Sequence, residues 1–326
     1  MTAETLGEFG RIRRFFAPLA GPGGLGLADD AALVECAAGR CLVVTVDAMV
    51  EGVHHLPDDP PELVAKKLLR VNLSDLAAKG ARPLHYLLTT ALPASFDDDW
   101  VARFAIGLAE DQRHFGVDLL GGDSVATTGP AVLSLTAFGD VASGSEIRRS
   151  GARAGDRVWV SGTIGDACLG LKLLRGEYAH LAPAERTMLV ARFQLPEPRI
   201  ALGPRLVGIA HAMCDVSDGL IADLGHICDA SGVAASVELG SLPLSAPASR
   251  LAEREPGLPA LLATSGDDYE LLFAAPPAAT AAIEHLAIEL SLPITAIGII
   301  EPGSGVRLLA TDGRPVPIAA AGYRHF

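Results

Sequence analysis

Apolar positions along the chain alternate between strand-like runs and helical spacing. Cys41-Leu-Val-Val-Thr-Val46 is an unbroken apolar and β-branched run, read as a buried strand that ends on Asp47. From Pro61 the period changes, with Leu63, Val64, Leu68, Val71 and Leu76 recurring at helical intervals. Pro60-Pro61 opens that segment and Gly80 closes it, so a helix is predicted over 61–80. Leu84–Leu92 reads as another strand. Asp97–Phe115 is predicted as a second helix, with Asp97 or Asp98 as its cap and Val101, Phe104 and Leu108 on one face. Strands around Val117–Leu120 and Ala131–Phe138 complete a first α/β unit.

Between Asp140 and Asp156 the pattern dissolves into small, Gly-rich and basic residues, the composition of a domain junction. The predicted boundary falls near Gly144, giving an N-terminal α/β domain over 1–144 and a C-terminal one over 145–326. The second begins with a strand at Arg157–Val160 and carries a helix from about Gly219 to Ala230, stopped by Ser231-Gly232. Strands near Val233–Leu239, Glu270–Ala274 and Ile294–Ile300 follow, and the Ala- and Pro-rich stretches at 241–260 and 275–285 are read as surface loops and short helices. A length of 326 residues agrees with two packed cores.

Composition narrows the function classes. Charged residues break every apolar stretch before the roughly 18 residues needed to cross a bilayer, so no membrane span is expected. The first residues have early carboxylates and no basic-then-apolar leader pattern, and the chain is read as cytoplasmic. Its five cysteines are odd in number, scattered and free of any CxxC pair. Reduced, mostly buried thiols are expected, rather than a disulfide framework or a zinc site. A net charge of −13 argues against nucleic acid as a partner. It also means that an anionic ligand can bind only where cations, helix N-termini or local basic residues reverse the field.

The aspartates stand at predicted element ends beside glycine or other small residues. Gly26-Leu-Ala-Asp-Asp30 is a Gly-rich loop, Asp47 ends a strand, and Asn72-Leu-Ser-Asp75 lies on a helix. Gly121-Gly-Asp123 follows a strand, Asp215-Val-Ser-Asp218-Gly219 precedes a helix, and Gly266-Asp-Asp268 precedes a strand. A single such aspartate is more often a cap or turn residue than a ligand, and Asp29, Asp97, Asp98 and Asp223 are read that way. Carboxylates gathered in one place repel each other unless protonated, hydrogen-bonded or neutralised by hard cations. Mg²⁺ suits that role, being held by one or two carboxylates together with substrate phosphates. The sequence contains no Gly-x-x-x-x-Gly-Lys-Ser/Thr, no protein-kinase motif set and no Gly-x-Ser-x-Gly elbow.

Taken together these strings resemble the thiamine-monophosphate kinase family, whose superfamily also holds aminoimidazole ribonucleotide synthetase, selenophosphate synthetase and a hydrogenase maturation factor. The matching residues are Gly7-Glu-Phe9, Gly26–Leu33, Asp47–His54, Val71–Ala81, Gly121–Ser124, Arg149–Ala152, Asp215–Leu220, Gly266–Phe273 and Gly322-Tyr323. The resemblance implies a two-domain α/β fold of mixed sheets packed with helices, a homodimer formed through the N-terminal sheets, and ATP bound with several Mg²⁺ ions. It implies Asp30, Thr45, Asp47, Asp75, Asp123, Asp215 and Asp218 as metal ligands. Gly122, Asp123, Arg149 and Ser217 would contact the nucleotide phosphates, and His54, Asp267 and Tyr323 the thiamine monophosphate. The chain departs from the family at Thr45-Val46, where two adjacent hydroxyl residues are usual, and at Asp267, where the family carries Glu.

The reaction so implied is direct transfer of the ATP γ-phosphate to a phosphate acceptor, with no protein nucleophile. The acceptor is mostly dianionic at neutral pH, because its second pKa lies near 6, and needs no strong base. Other readings are a selenophosphate synthetase, a hydrogenase factor, a nucleotide-binding relative without turnover, and a Mg²⁺-dependent phosphohydrolase. The first would want a reactive Cys and Lys where Gly21-Pro-Gly-Gly-Leu-Gly26 stands, and the second a terminal cysteine where the sequence reads Tyr323-Arg-His-Phe326.

Overall fold

The computed structural model describes residues 8–27, 31–32, 34–318 and 321–323. It divides into two compact units, one of Met1–Leu76 with Ala81–Ser143, the other of Ala77–Gly80 with Gly144–Phe326.

The first unit opens with a short helical turn, α1 (Glu8–Arg11), and is built on a four-stranded sheet of order β1-β4-β2-β3. Its elements are β1 (Arg40–Val50), α2 (Pro61–Ala78), β2 (Arg82–Pro93), α3 (Asp98–Phe115), β3 (Asp118–Thr127) and β4 (Val132–Ala142). β4 pairs antiparallel with β1 and β2, while β2 and β3 are parallel, so the sheet is mixed. Leu68, Leu69 and Leu76 of α2, Phe104 and Leu108 of α3, and Tyr86, Leu133 and Leu135 of the strands are fully buried. Asp97 is the cap of α3, its Oδ1 accepting the Trp100 N–H at 2.9 Å. α2 is tied to α3 by a buried fork in which Arg70 Nε donates to Asp111 Oδ2 at 2.6 Å and Nη2 to Oδ1 at 3.1 Å.

Two sequence expectations change here. Asp47 does not end its strand, because Ala48-Met49-Val50 continue the pairing with β4 and Asp47 stands opposite Leu135. Gly121-Gly122-Asp123 does not follow β3 but lies inside it, where Gly122 pairs with Leu88 and Asp123 with Thr89. Glycine-rich composition suggested a loop. The strand persists because a Cβ on Gly122 would lie 1.7 Å from the Leu88 carbonyl oxygen, so that only glycine allows β2 so close.

The second unit carries a six-stranded mixed sheet of order β10-β7-β9-β5-β8-β6. In chain order its elements are β5 (Arg157–Ser161), α4 (Asp166–Leu174), α5 (Pro183–Gln194), β6 (Ala212–Asp215), α6 (Leu220–Ser231) and β7 (Ala234–Glu238). Then come α7 (Ala246–Ala252), α8 (Leu258–Ala263), β8 (Leu271–Ala275), α9 (Thr280–Glu289), β9 (Ile294–Glu301) and β10 (Gly305–Leu309). α6 ends at Gly232 in a left-handed cap, as its sequence signals require. Helix α7 lies within the 241–260 stretch expected as surface loops and short helices and α8 begins in it, yet Ala248, Leu251 and Leu258 are core residues. α4, α5, β6 and β10 had no counterpart in the sequence reading. β6 has only four residues, too short a run for any alternation to register.

β8 runs antiparallel to both β5 and β6, so the ends of those two strands and the start of β8 share one edge of the sheet. Ser161, Asp215 and Glu270 are thereby brought to the same edge. All five cysteines are free thiols, but only Cys214 and Cys228 are buried, and Cys36 is exposed, against the expectation of mostly buried thiols.

Candidate functional site

Within the first unit, the acidic positions of β1 meet α2. Asn72 and Asp75 are three residues apart, which sets both on one helical face. Thr45 Oγ1 donates to Asp75 Oδ2 at 2.6 Å, and the Asp47 N–H donates to Asn72 Oδ1 at 3.0 Å. The fully buried Asn72 is fixed in turn by its own amide, which donates to the Leu68 carbonyl at 2.9 Å. Sequence reasoning quoted Asn72 within its motif and gave it no task, although it aligns the strand beneath Asp47. Thr45, Asp47 and Asp75 thus form one half-buried oxygen-lined group.

Asp123 is exposed on β3, and its Oδ1 accepts the Ser124 N–H at 2.8 Å. Gly121, Gly122, Asp123 and Ser124 border a cavity of about 480 Å³ whose other walls include Ile12, Phe16, Leu87 and Phe138. His54 is half-buried just beyond β1. Its Nδ1 accepts the Val50 N–H at 3.0 Å, which leaves the neutral ring's proton on Nε2. Lys67 Nζ donates to the His54 carbonyl at 3.0 Å. The neighbouring His55 is buried, and burial pushes its pKa down. Asp30 and Asp29 lie outside the described residues.

Within the second unit, two loops at the common sheet edge are zipped together. Asp267 N–H donates to the Ser217 carbonyl and Tyr269 N–H to the Val216 carbonyl, both at 2.8 Å, while Val216 N–H donates to the Glu270 carbonyl at 2.9 Å. Tyr323 N–H joins the frame by donating to the Asp218 carbonyl at 2.9 Å. Asp215, Ser217, Asp218, Asp267 and Tyr323 are therefore assembled by backbone hydrogen bonds. Asp215 is buried, Asp218 and Ser217 are half-buried, and Tyr323 is exposed. A cavity of about 600 Å³ lies against Asp218, Ala222, His226, Asp229, Gly322 and Tyr323.

Asp223 holds the loop at the start of α6. It is buried, and its Oδ2 accepts the N–H groups of Ser217, Asp218 and Gly219, each at 3.1 Å. Burial, then the nearby Asp218 charge, raise its carboxyl from 3.8 to about 7 against the pull of those three donors. Reading Asp223 as a turn residue agrees with this. Ligand atoms of Asp218, Asp223 and His226 all lie within 4.8 Å of one another. Arg149 is exposed, on a segment that runs beside β6 through the Met213 N–H to Arg148 carbonyl bond of 2.9 Å.

Sequence reasoning missed one further set. Glu270 is completely buried and accepts from Ser161, Arg192 and Arg199. No spacing rule links residues so distant along the chain.

Residues 28–141 match the family model described as AIR synthase related protein, N-terminal domain, and residues 153–310 match its C-terminal domain. Over both matched stretches the chain is thus an AIR synthase related protein. The thiamine-monophosphate kinase of Caulobacter vibrioides is 43% identical over 323 residues, covering 98% of this chain and 90% of that protein. A crystal structure of the enzyme of that name from Stenotrophomonas maltophilia superposes with a TM-score of 0.80 at 41% identity, covering 89% of this chain and 91% of the other. A structure of AaThiL complexed with AMPPCP and TMP gives a TM-score of 0.77 at 32% identity, with both chains covered completely. The chain belongs to the thiamine-monophosphate kinase family.

Proposed function

We propose that this protein transfers the γ-phosphate of ATP to thiamine monophosphate, yielding thiamine diphosphate and ADP by direct in-line displacement. The observation that carries the reading is the backbone frame joining Asp215–Asp218, Asp267 and Tyr323, which gathers the family's acidic and acceptor positions of the second unit. The relative complexed with AMPPCP and TMP supports both substrates.

The donor set fits Mg²⁺. Thr45, Asp47 and Asp75 in the first unit, and Asp215 and Asp218 in the second, offer only hydroxyl and carboxylate oxygens, the ligands a hard cation takes. Asp123 and Asp30 complete the proposed ligand set. When bound, Mg²⁺ offsets charge on the phosphates and fixes their oxygens for an in-line displacement.

The chain's own residues address the same obstacle, which is repulsion between two anions. A unit pair at 4 Å costs about 4 kcal/mol at an effective dielectric of 20. The Arg149 guanidinium, exposed beside β6, supplies a forked phosphate contact. Ser217 and the N–H groups opening α6 supply an anion seat. Gly122 brings bare backbone to the nucleotide phosphates, and the apolar cavity beside it suits the nucleoside. On the acceptor side, His54 donates from Nε2 to the phosphate, Asp267 orients the substrate, and Tyr323 stacks on the cationic thiazolium. No proton needs to leave the acceptor dianion, so no side chain acts as a strong base.

The protein acts as a cytoplasmic homodimer. Leu42, Val44 and Val46 of the edge strand β1 present an exposed apolar row, 36%, 55% and 60% accessible, which supports pairing of this sheet with a second copy. No helix among the described residues is long and apolar enough to cross a membrane. The test is incubation of the protein with ATP, Mg²⁺ and thiamine monophosphate. Thiamine diphosphate formed in step with ADP is the expected result, and free phosphate released without the acceptor refutes it.

A further inference from the structure

Behind the 264–270 turn lies a charged cluster of Glu270, Asp268, Arg192 and Arg199, and its arrangement bears on the acceptor. The turn is conformationally costly. Asp267 and Tyr269 both take left-handed backbone, with φ of 71° and 51°, which Asp tolerates and a bulky residue such as tyrosine rarely occupies. Gly266 passes so close to the facing loop that a Cβ there would lie 2.0 Å from the Ser217 carbonyl oxygen. Such a turn persists only where its surroundings over-determine it.

Alternate side chains of the turn do this. Asp267 and Tyr269 are half-buried and interact with each other, Tyr269 Oη donating to Asp267 Oδ1 at 3.2 Å. Asp268 and Glu270 turn inward and are 1% and 0% exposed. Asp268 Oδ2 accepts the Gly165 N–H at 2.7 Å. Glu270 accepts from Ser161 Oγ at 2.6 Å, from Arg199 Nε at 2.6 Å and Nη2 at 2.5 Å, and from Arg192 Nη2 at 2.8 Å. Arg192 Nη2 also reaches the Asp268 carbonyl at 3.4 Å, and Ser161 Oγ accepts the Leu271 N–H at 2.9 Å.

Two guanidinium groups here meet the buried carboxyls of Glu270 and Asp268, and apolar packing supplies core stability at least as well as such a buried ion cluster. What the cluster adds is direction. Arg192 sits in the last turn of α5 and ties the base of the turn to that helix, while Arg199 holds it from the segment that follows. Neither lines the cavity beside Tyr323.

We infer that Arg199, assisted by Arg192, is a positioning residue for the acceptor, acting through Glu270 to hold the strained Gly266–Tyr269 turn that presents Asp267. This rests on the reading of Asp267 as an acceptor contact. Replacing the planar fork by a lysine keeps the charge and loses the geometry, so the effect falls on the placement of Asp267 rather than on charge balance.

The test measures Arg199→Lys, Arg192→Lys, Asp267→Ala and the Arg199→Lys/Asp267→Ala double variant, each below its melting temperature, with separate KM values for thiamine monophosphate and ATP. Arg199→Lys is expected to raise KM for thiamine monophosphate by about tenfold with KM for ATP unchanged, and Arg192→Lys by less. Asp267→Ala raises the same KM, and adding Arg199→Lys to it produces no further rise, because the lysine acts through a side chain already removed. A purely structural role would lower the melting temperature and the active fraction with both KM values intact, and that outcome overturns the inference. Full additivity in the double variant overturns it as well. If Asp267→Ala itself leaves KM for thiamine monophosphate unaltered, the acceptor role of Asp267 falls and the positioning role with it. A responsive Asp267→Ala beside a silent Arg199→Lys removes the positioning role alone.

Discussion

The two adjacent glycines of β3 offer a controlled perturbation, since they share a motif and differ in what faces them. A methyl group at Gly122 would lie 1.7 Å from the Leu88 carbonyl oxygen, 2.7 Å from its carbon and 3.1 Å from its nitrogen, all of them backbone atoms of β2. Carbon and carbonyl oxygen settle at roughly 3.3 Å, so β3 must retreat from β2 by roughly 1.5 Å. Strain of about 1–3 kcal/mol and the loss of one or two ladder hydrogen bonds near 1 kcal/mol each put Gly122→Ala at roughly 2–5 kcal/mol. For a unit of this size that lowers the melting temperature by roughly 10 °C. Asp123 moves with the strand, and a misplacement of about 1 Å at a reacting centre costs on the order of a hundredfold in turnover. At Gly121 the added methyl meets only Leu87 Cδ2, at 3.4 Å, an ordinary contact with the end of a flexible side chain. Gly121→Ala should therefore stay within about 1 kcal/mol of the parent. Thermal unfolding followed by circular dichroism and thiamine diphosphate formation at 25 °C give the two readings. Equal losses in the two variants, or none in Gly122→Ala, would refute the reasoning.

Asp47→Asn and Asp123→Asn each remove a proposed cation ligand from a position that keeps its backbone bonds. Turnover should drop by at least about a hundredfold with the melting temperature held within a few degrees, and unaltered activity in both variants would reject the ligand role. Arg70→Met leaves the buried Asp111 carboxylate uncompensated and should cost about 3–5 kcal/mol in denaturant unfolding, most of it regained when Asp111 is also made apolar. Asp223 gives a pH signature. Its folded carboxyl sits near 7 against 3.8 ordinarily, so the folded state binds the proton more tightly than the unfolded chain. The Asp223 contribution to stability, read without divalent cations as the difference from Asp223→Asn, should therefore be fully present below pH 4 and be lost, by on the order of 4 kcal/mol, as pH rises to 7. Asp223→Asn should flatten that slope, and an unchanged slope would count against the assignment.

Much of the architecture is written locally. The helical spacing after Pro61, the Asp97 cap and the Gly232 stop depend on neighbours within one or two turns, and each appears where its signals stand. The acidic strings were likewise visible as residue types in order, because the chemistry of binding phosphate through cations restricts the choice to oxygen-bearing side chains beside small residues. Pairing partners are not local. Whether Gly121-Gly122-Asp123 forms a loop or a strand is decided by the approach of β2, and whether Asp47 ends β1 is decided by the length of β4. The clamp of Arg192 and Arg199 on Glu270 joins residues more than seventy positions apart across a sheet edge. Sequence periodicity reports which face of an element is apolar, and it carries no term for which element arrives on that face. The chain alone therefore determined helices α2, α3 and α6, their end signals and the candidate chemistry. The tertiary structure decided strand register, the zipped loops and the buried charges, because these depend on contacts made only when distant segments have packed.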